Sequence, residues 1–145
     1  MTNAICEVIL KVESGVKKMK KFLPFIFFWA LNTILLFLAN SLSAANFVLG
    51  NARFSPIWAA LVAGLVWTVL VWIAQPLVKK VGVDPKGAIG MLVFGWVSNF
   101  AAIWLTARMA PLTGLGISSF VWAILLALVA DLAQFLLWKV GKFKD

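Results

Sequence analysis

The residue of this chain best suited to chemistry is an aspartate inside an apolar stretch. Asp131 is followed three residues later by Gln134, so both side chains lie on one face of a helix. A carboxylate at the centre of a membrane helix costs about 2.5–3.5 kcal/mol on insertion scales, so such acids are functional candidates. The alternatives are that Asp131 reaches water, pairs with Lys79 or Lys80, or is protonated. Asp131 and Gln134 are therefore the first candidate site residues.

Three further polar residues lie deep in apolar stretches. Asn32 and Thr68 are near the centres of the first and second stretches, and Asn99 is slightly beyond the centre of the third. They could hydrogen-bond neighbouring helices, each bond contributing about 1 kcal/mol or less, or they could line a substrate path. Helix packing is the preferred interpretation.

The composition excludes several kinds of site. The chain has no His, no Tyr and one Cys, Cys6, and its only acids are Glu7, Glu13, Asp84, Asp131 and Asp145. Zinc sites, catalytic triads and an internal disulfide therefore lack their residues. The cations are scattered and form no basic face for nucleic acid. We expect no enzymatic activity, no catalytic residue, no metal and no cofactor.

Hydrophobic residues are unusually abundant and fall into four long runs. They make up 63% of the 145 residues, against roughly 45–50% in soluble domains. A bilayer core about 30 Å thick requires about 20 apolar residues in a helix. Four runs reach that length, at approximately 22–40, 57–78, 87–107 and 117–138. The sequence predicts an all-α integral membrane protein, with a basic segment at 1–21, a basic tail at 139–145 and the lipid bilayer as its partner.

The cations indicate the orientation of the spans. Eleven lysines precede the first span, separate the second from the third, or follow the fourth: Lys11, Lys17, Lys18, Lys20, Lys21, Lys79, Lys80, Lys86, Lys139, Lys142 and Lys144. The opposite side has only Arg53 and Arg108. Because cytoplasmic loops retain positive charge, both termini are predicted to be cytoplasmic.

The first span and the residues before it permit two interpretations. The segment resembles a cleavable signal peptide, because the lysines of residues 17–21 are followed by an apolar run and then by the small residues Ser43-Ala44-Ala45. The run of about 19 residues exceeds the usual 7–15, which favours retention of the span. Residues 1–18 show no strong apolar stripe, and we expect translation to start at Met19.

The two halves of the chain resemble each other. Residues 32–38 align with 99–105 at an offset of 67, and Trp58 aligns with Trp122 at an offset of 64. The sequence therefore predicts two similar helical hairpins in tandem. Both would begin in the cytoplasm, so an axis along the membrane normal would relate them.

Small residues recur at helical spacing in the second and third spans. Ala60 and Gly64 precede Thr68 at four-residue intervals, and Gly95 precedes Asn99. Such stripes allow close helix packing or oligomer contacts. The central Trp67 is interpreted as a packing or lipid contact.

The pattern resembles phage holin superfamily IV, also described as YvlD-like. The comparable stretches are 54–61 (FSPIWAAL), 75–77 (QPL) and 116–123 (GISSFVWA), and the resemblance covers roughly residues 20–138. It implies a bacterial plasma-membrane protein of four spans in two hairpins. Where that family often has Arg before the proline, this chain has Gln75.

These observations favour one function and leave two others open. The leading interpretation is a holin-like protein that self-associates as a homo-oligomer and permeabilises the membrane or acts in the envelope. The alternatives are a small transporter or channel using Asp131, with Asn32 and Asn99 near the path, and an accessory subunit.

Overall fold

Four long apolar helices follow one another in the computed structural model, which describes residues 2–82 and 86–141. In chain order the elements are α1 (Thr2–Leu42), β1 (Phe47–Leu49), α2 (Pro56–Lys80), α3 (Gly87–Arg108), α4 (Ala110–Thr113), β2 (Leu115–Ile117) and α5 (Phe120–Gly141). The four long helices are each long and apolar enough to cross a membrane. The predicted all-α class with four candidate spans is thus confirmed.

The helix bounds depart from the predicted spans mainly at the first and last helices. α2 and α3 begin and end within two residues of prediction. α5 begins at Phe120 rather than 117, because residues 115–117 form a strand. Asp84 and residues 142–145 of the predicted tail lie outside the described residues.

Helix α1 is about twice as long as predicted. Its 41 residues correspond to about 60 Å at 1.5 Å per residue, whereas the hydrocarbon core is about 30 Å thick. Apart from Gly15, which is of intermediate exposure, residues 2–20 are exposed. Exposed apolar side chains recur along this part of the helix: Ile5, Val8, Ile9, Val12, Val16 and Met19.

A small β-ribbon, which the sequence did not predict, joins the connection after α1 to the connection after α3. β1 and β2 are antiparallel, and Val48 lies opposite Gly116 at the centre of the register. The side chains of Phe47, Leu49 and Leu115 are buried. The ribbon therefore closes one end of the helices, which we call the ribbon end.

Polar and glycine residues hold the ribbon-end connections together. Asn51 Oδ1 accepts hydrogen bonds from the backbone N–H groups of Arg53 and Phe54, each at 2.8 Å, and forms a tight turn. Its Nδ2 donates across to the carbonyl of Ala110 at 3.1 Å. Gly114 has φ +76°, and a Cβ there would lie 2.7 Å from Cβ of Ala59. Glycine is thus required by both backbone angle and space.

The helices pack as a closed ring of four. α1 packs most extensively on α2, and α3 on α5, while α2–α3 and α1–α5 contacts complete the ring. Ala59, Ala60 and Ala63 of α2 are fully buried. A Cβ on Gly64 would lie 2.5 Å from Oγ1 of Thr33 on α1. The small-residue stripe of α2 is therefore used for packing within one chain.

Candidate functional site

Polar side chains from all four long helices meet in the interior of the bundle. They are Asn32 of α1, Trp67 and Thr68 of α2, Asn99 of α3 and Gln134 of α5, which together we call the polar cluster. The first four are at most 1% exposed, and Gln134 is partly buried. Because buried polar groups lose their hydrogen bonds to bulk water, they need partners within the protein.

Two hydrogen bonds of the polar cluster join α2 to its neighbours. Asn32 Nδ2 donates to Oγ1 of Thr68 at 2.9 Å, which connects α1 with α2. Trp67 Nε1 donates to Oδ1 of Asn99 at 2.9 Å, which connects α2 with α3. Adjacent residues of α2 therefore contact the helices on either side.

Gln134 completes the circuit from α5. Asn99 Nδ2 donates to Gln134 Oε1 at 3.0 Å, and Gln134 Nε2 donates back to Asn99 Oδ1 at 3.2 Å. Gln134 Nε2 also donates to Oδ1 of Asn32 at 2.9 Å. Each pair of neighbouring helices in the ring is thus joined by at least one hydrogen bond, which is buried for α1–α2 and α2–α3 and partly buried for the two pairs that include α5.

Asn99 is the most fully bonded member of the cluster. Its Oδ1 accepts from Trp67 and Gln134, and its Nδ2 donates to Gln134 and to the carbonyl of Gly95 at 2.9 Å. These four bonds use the whole hydrogen-bonding capacity of a side-chain amide. Thr68 similarly donates to the carbonyl of Gly64 at 2.7 Å while accepting from Asn32. The polar cluster is a satisfied network.

The structure brings together four of the predicted polar candidates and adds one that the sequence interpretation missed. Asn32, Thr68, Asn99 and Gln134 were all candidates. Trp67 was interpreted as a packing or lipid contact, but its indole is fully buried and bonded to Asn99. A buried indole N–H needs an acceptor, and Trp67 lies too deep for the interface. The need of a deeply placed indole for an acceptor was therefore the signal that could have identified Trp67 as a member of the cluster.

Asp131 lies beside this network but outside its hydrogen bonds. It is 7% exposed, and its carboxylate faces Gly95 of α3 so closely that a methyl group on Gly95 would overlap Oδ1. Among the described residues, its carboxylate has no hydrogen bond or ion pair, and neither Lys79 nor Lys80 reaches it. Gly95 thus provides the space that the carboxylate occupies.

A narrow crevice leads to the polar cluster on the side away from the ribbon. It has a volume of about 40 Å³ and is lined by Phe28, Asn32, Thr68, Val71, Trp72, Gln75 and Gln134. Such a volume holds water or a small ion, whereas sites for organic ligands usually occupy about 300–1,000 Å³. Within residues 2–82 and 86–141, no cluster of three or more His, Cys, Asp or Glu could hold a metal.

The helix pairs α1–α2 and α3–α5 each contain a hydrogen bond from a tryptophan indole to a backbone carbonyl of the neighbouring helix. Trp29 Nε1 of α1 donates to the carbonyl of Leu61 on α2 at 2.9 Å. Trp96 Nε1 of α3 donates to the carbonyl of Ile124 on α5 at 3.1 Å. Trp29 and Trp96 are separated by 67 residues, the same offset that relates Asn32 to Asn99.

Comparisons of this chain with known protein families, curated proteins and solved structures give no match. The resemblance to phage holin superfamily IV therefore depends only on its sequence motifs.

Proposed function

We propose that this protein is a bacterial plasma-membrane protein of the phage holin superfamily IV type, with two tandem hairpins related by an axis along the membrane normal. The matching bonds of Trp29 and Trp96 support the relation. So does the antiparallel ribbon, whose central pair joins the two equivalent connections. Asn32 and Asn99 also correspond, because each Oδ1 accepts from the second helix of the other hairpin.

The proposed orientation places both termini in the cytoplasm and the ribbon end outside. Reporter fusions after residue 83 and at the C-terminus should both give a cytoplasmic signal, because eleven lysines lie on that side. A fusion after Arg53 should give an external signal. An external signal from either of the first two positions would contradict the four-span topology.

For the activity, we propose movement of protons or a small monovalent cation through the site formed by Asp131 and the polar cluster. The observation that carries this proposal is Asp131, a residue that is only 7% exposed and whose carboxylate has no partner among the described residues. Intramembrane acids of this kind mark ion and proton pathways. Gln134 lies three residues away and lines the crevice, which offers an approach from the predicted cytoplasmic side.

The geometry favours this activity over holin-like permeabilisation by a homo-oligomer. The small residues of α2 that could bring copies together are buried within the chain. The interior is closed by the hydrogen-bonded ring, so one copy has no wide path for solutes. Permeabilisation is the second candidate function, which the family resemblance favours, and it would require assembly of several copies.

Ion flux in proteoliposomes tests the leading proposal. A potassium gradient and valinomycin provide the driving force for proton flux, and a pH-sensitive dye entrapped in the vesicles reports the rate. Vesicles that contain the wild-type chain should take up protons faster than empty vesicles. Asp131→Asn should reduce that rate at least about tenfold, because an amide neither carries a proton nor holds a cation. Asp145→Asn, which removes a carboxylate from the basic tail, should leave the rate unchanged.

Three outcomes would contradict the leading proposal in different ways. Equal flux through wild type and Asp131→Asn would remove Asp131 from the pathway. Release of an entrapped large dye that rises steeply with protein density would favour permeabilisation by assembled copies. Absence of both activities, with native thermal stability retained, would favour an accessory subunit.

A further inference from the structure

An aromatic groove lies at the ribbon end, where residues of α3, β2 and α5 meet. Its volume is about 290 Å³, and it is lined by Trp104, Ala107, Arg108, Ile117 and Phe120. The rings of Trp104 and Phe120 stack with centroids 4.0 Å apart and an interplanar angle of 25°. The groove therefore has one rigid aromatic wall formed by two helices.

Arg108 is the only charged side chain of this groove. Its guanidinium carbon lies 5.1 Å from the centroid of the Trp104 ring, within cation–π distance. Within residues 2–82 and 86–141, none of its guanidinium N–H groups donates a hydrogen bond, so they are available for a bidentate acceptor. Among the described residues, Arg108 makes no ion pair. Its positive charge therefore has no counterion from this part of the chain.

The groove lies where a membrane span meets the interface. Arg108 is the last residue of α3, and Phe120 is the first of α5, so both mark the same boundary of the apolar region. Phe120 is 55% exposed, and Leu105, which lies one turn before Arg108 on α3, is 50% exposed. Aromatic and arginine side chains at this depth contact lipid headgroups and the first segments of acyl chains.

We propose that this groove binds one phospholipid of the leaflet at the ribbon end. The phosphate diester accepts from the guanidinium of Arg108, and an acyl chain lies against Trp104 and Phe120. Charge decides the occupant, because an uncompensated cation beside an apolar wall matches a molecule with an anionic head and an apolar tail. A free anion would match the cation but leave the aromatic wall exposed to lipid.

Native mass spectrometry of the detergent-purified chain, titrated with phosphatidylglycerol, tests the site. Arg108→Gln should weaken the first lipid adduct at least about tenfold, because a charge-assisted bidentate contact is lost. Arg53→Gln is the matched control, because Arg53 lies in the other ribbon-end connection and contacts no aromatic ring among the described residues. Arg53→Gln should leave the adduct unchanged.

Phe120→Ala should also weaken the adduct, although Arg108 is still present, because the aromatic wall loses one of its two rings.

Each other outcome would overturn the assignment. Equal loss in Arg108→Gln and Arg53→Gln would indicate general attraction to charge rather than a site. An unchanged adduct in Arg108→Gln would remove the guanidinium from lipid binding. Competition by millimolar inorganic phosphate would identify an anion site without a lipid chain. Thermal unfolding of each variant separates loss of lipid from loss of fold, and none of these results depends on ion flux through Asp131.

Discussion

Asn99→Ala is expected to lower the free energy of unfolding by about 2–4 kcal/mol. The substitution removes three bonds between helices, one from Trp67 and two with Gln134. Bonds of this kind average about 0.6 kcal/mol and reach about 1.7 kcal/mol. The indole N–H of Trp67, which is fully buried, also loses its acceptor, and this adds to the cost. Unfolding in a denaturing detergent, followed by tryptophan fluorescence, measures the change.

Asn46→Ala provides the matched control for Asn99→Ala. Asn46 Nδ2 donates to Ser43 at 2.7 Å, and its Oδ1 accepts from the exposed hydroxyl of Ser118 at 2.9 Å. Water can replace these partners at the ribbon end, so the expected loss is below about 1 kcal/mol. Equal losses in the two variants would show that the ring of buried bonds does not hold the helices together.

Much of the site could be predicted from residue type and depth. Asn32, Thr68, Asn99 and Gln134 are polar residues inside apolar runs, and a polar group in hydrocarbon needs a partner. Their arrangement as a closed ring could not be predicted. It depends on the rotation of each helix about its axis and on which helices are neighbours, and near-uniform apolarity around a span leaves little periodic signal for that rotation.

The contact between Asp131 and Gly95 shows the same limit. Both residues were candidates, Asp131 for function and Gly95 for packing, and the structure places one against the other. Their contact depends on the vertical register of α3 against α5, which no local pattern encodes. The sequence could therefore identify the members but not the pair.

The ribbon was missed because its strands are short. β1 and β2 have three residues each, too few for a period of two to stand out beside Gly50, Asn51 and Gly114. Pairing between residues about 68 positions apart is a tertiary contact, whereas turn signals predict only local reversals. The sequence predicted connections here, and the structure shows that the two connections are bonded to each other.

Gly64→Ala is the second substitution with a large expected effect on stability, about 1–3 kcal/mol. The new methyl carbon would lie 2.5 Å from Oγ1 of Thr33, 3.2 Å from its backbone nitrogen and 3.3 Å from its Cα. Thr33 is 8% exposed, and its hydroxyl donates to the carbonyl of Trp29 at 2.8 Å, so it has little freedom to move. The helices α1 and α2 must therefore separate, even though alanine favours a helix over glycine by up to about 1 kcal/mol.

A double variant distinguishes this steric cause from a general effect of the substitution. Gly64→Ala combined with Thr33→Ala removes the closest contact and leaves the two backbone contacts, so it should be more stable than the sum of the two single changes predicts. Gly116→Ala is the control, because its nearest neighbour is Cβ of Val48 at an ordinary 3.7 Å. The same detergent titration compares all four variants. Additive losses in the double variant would show that Thr33 does not limit the approach of α1 to α2, and the close contact at Gly64 would then not explain why glycine is needed there.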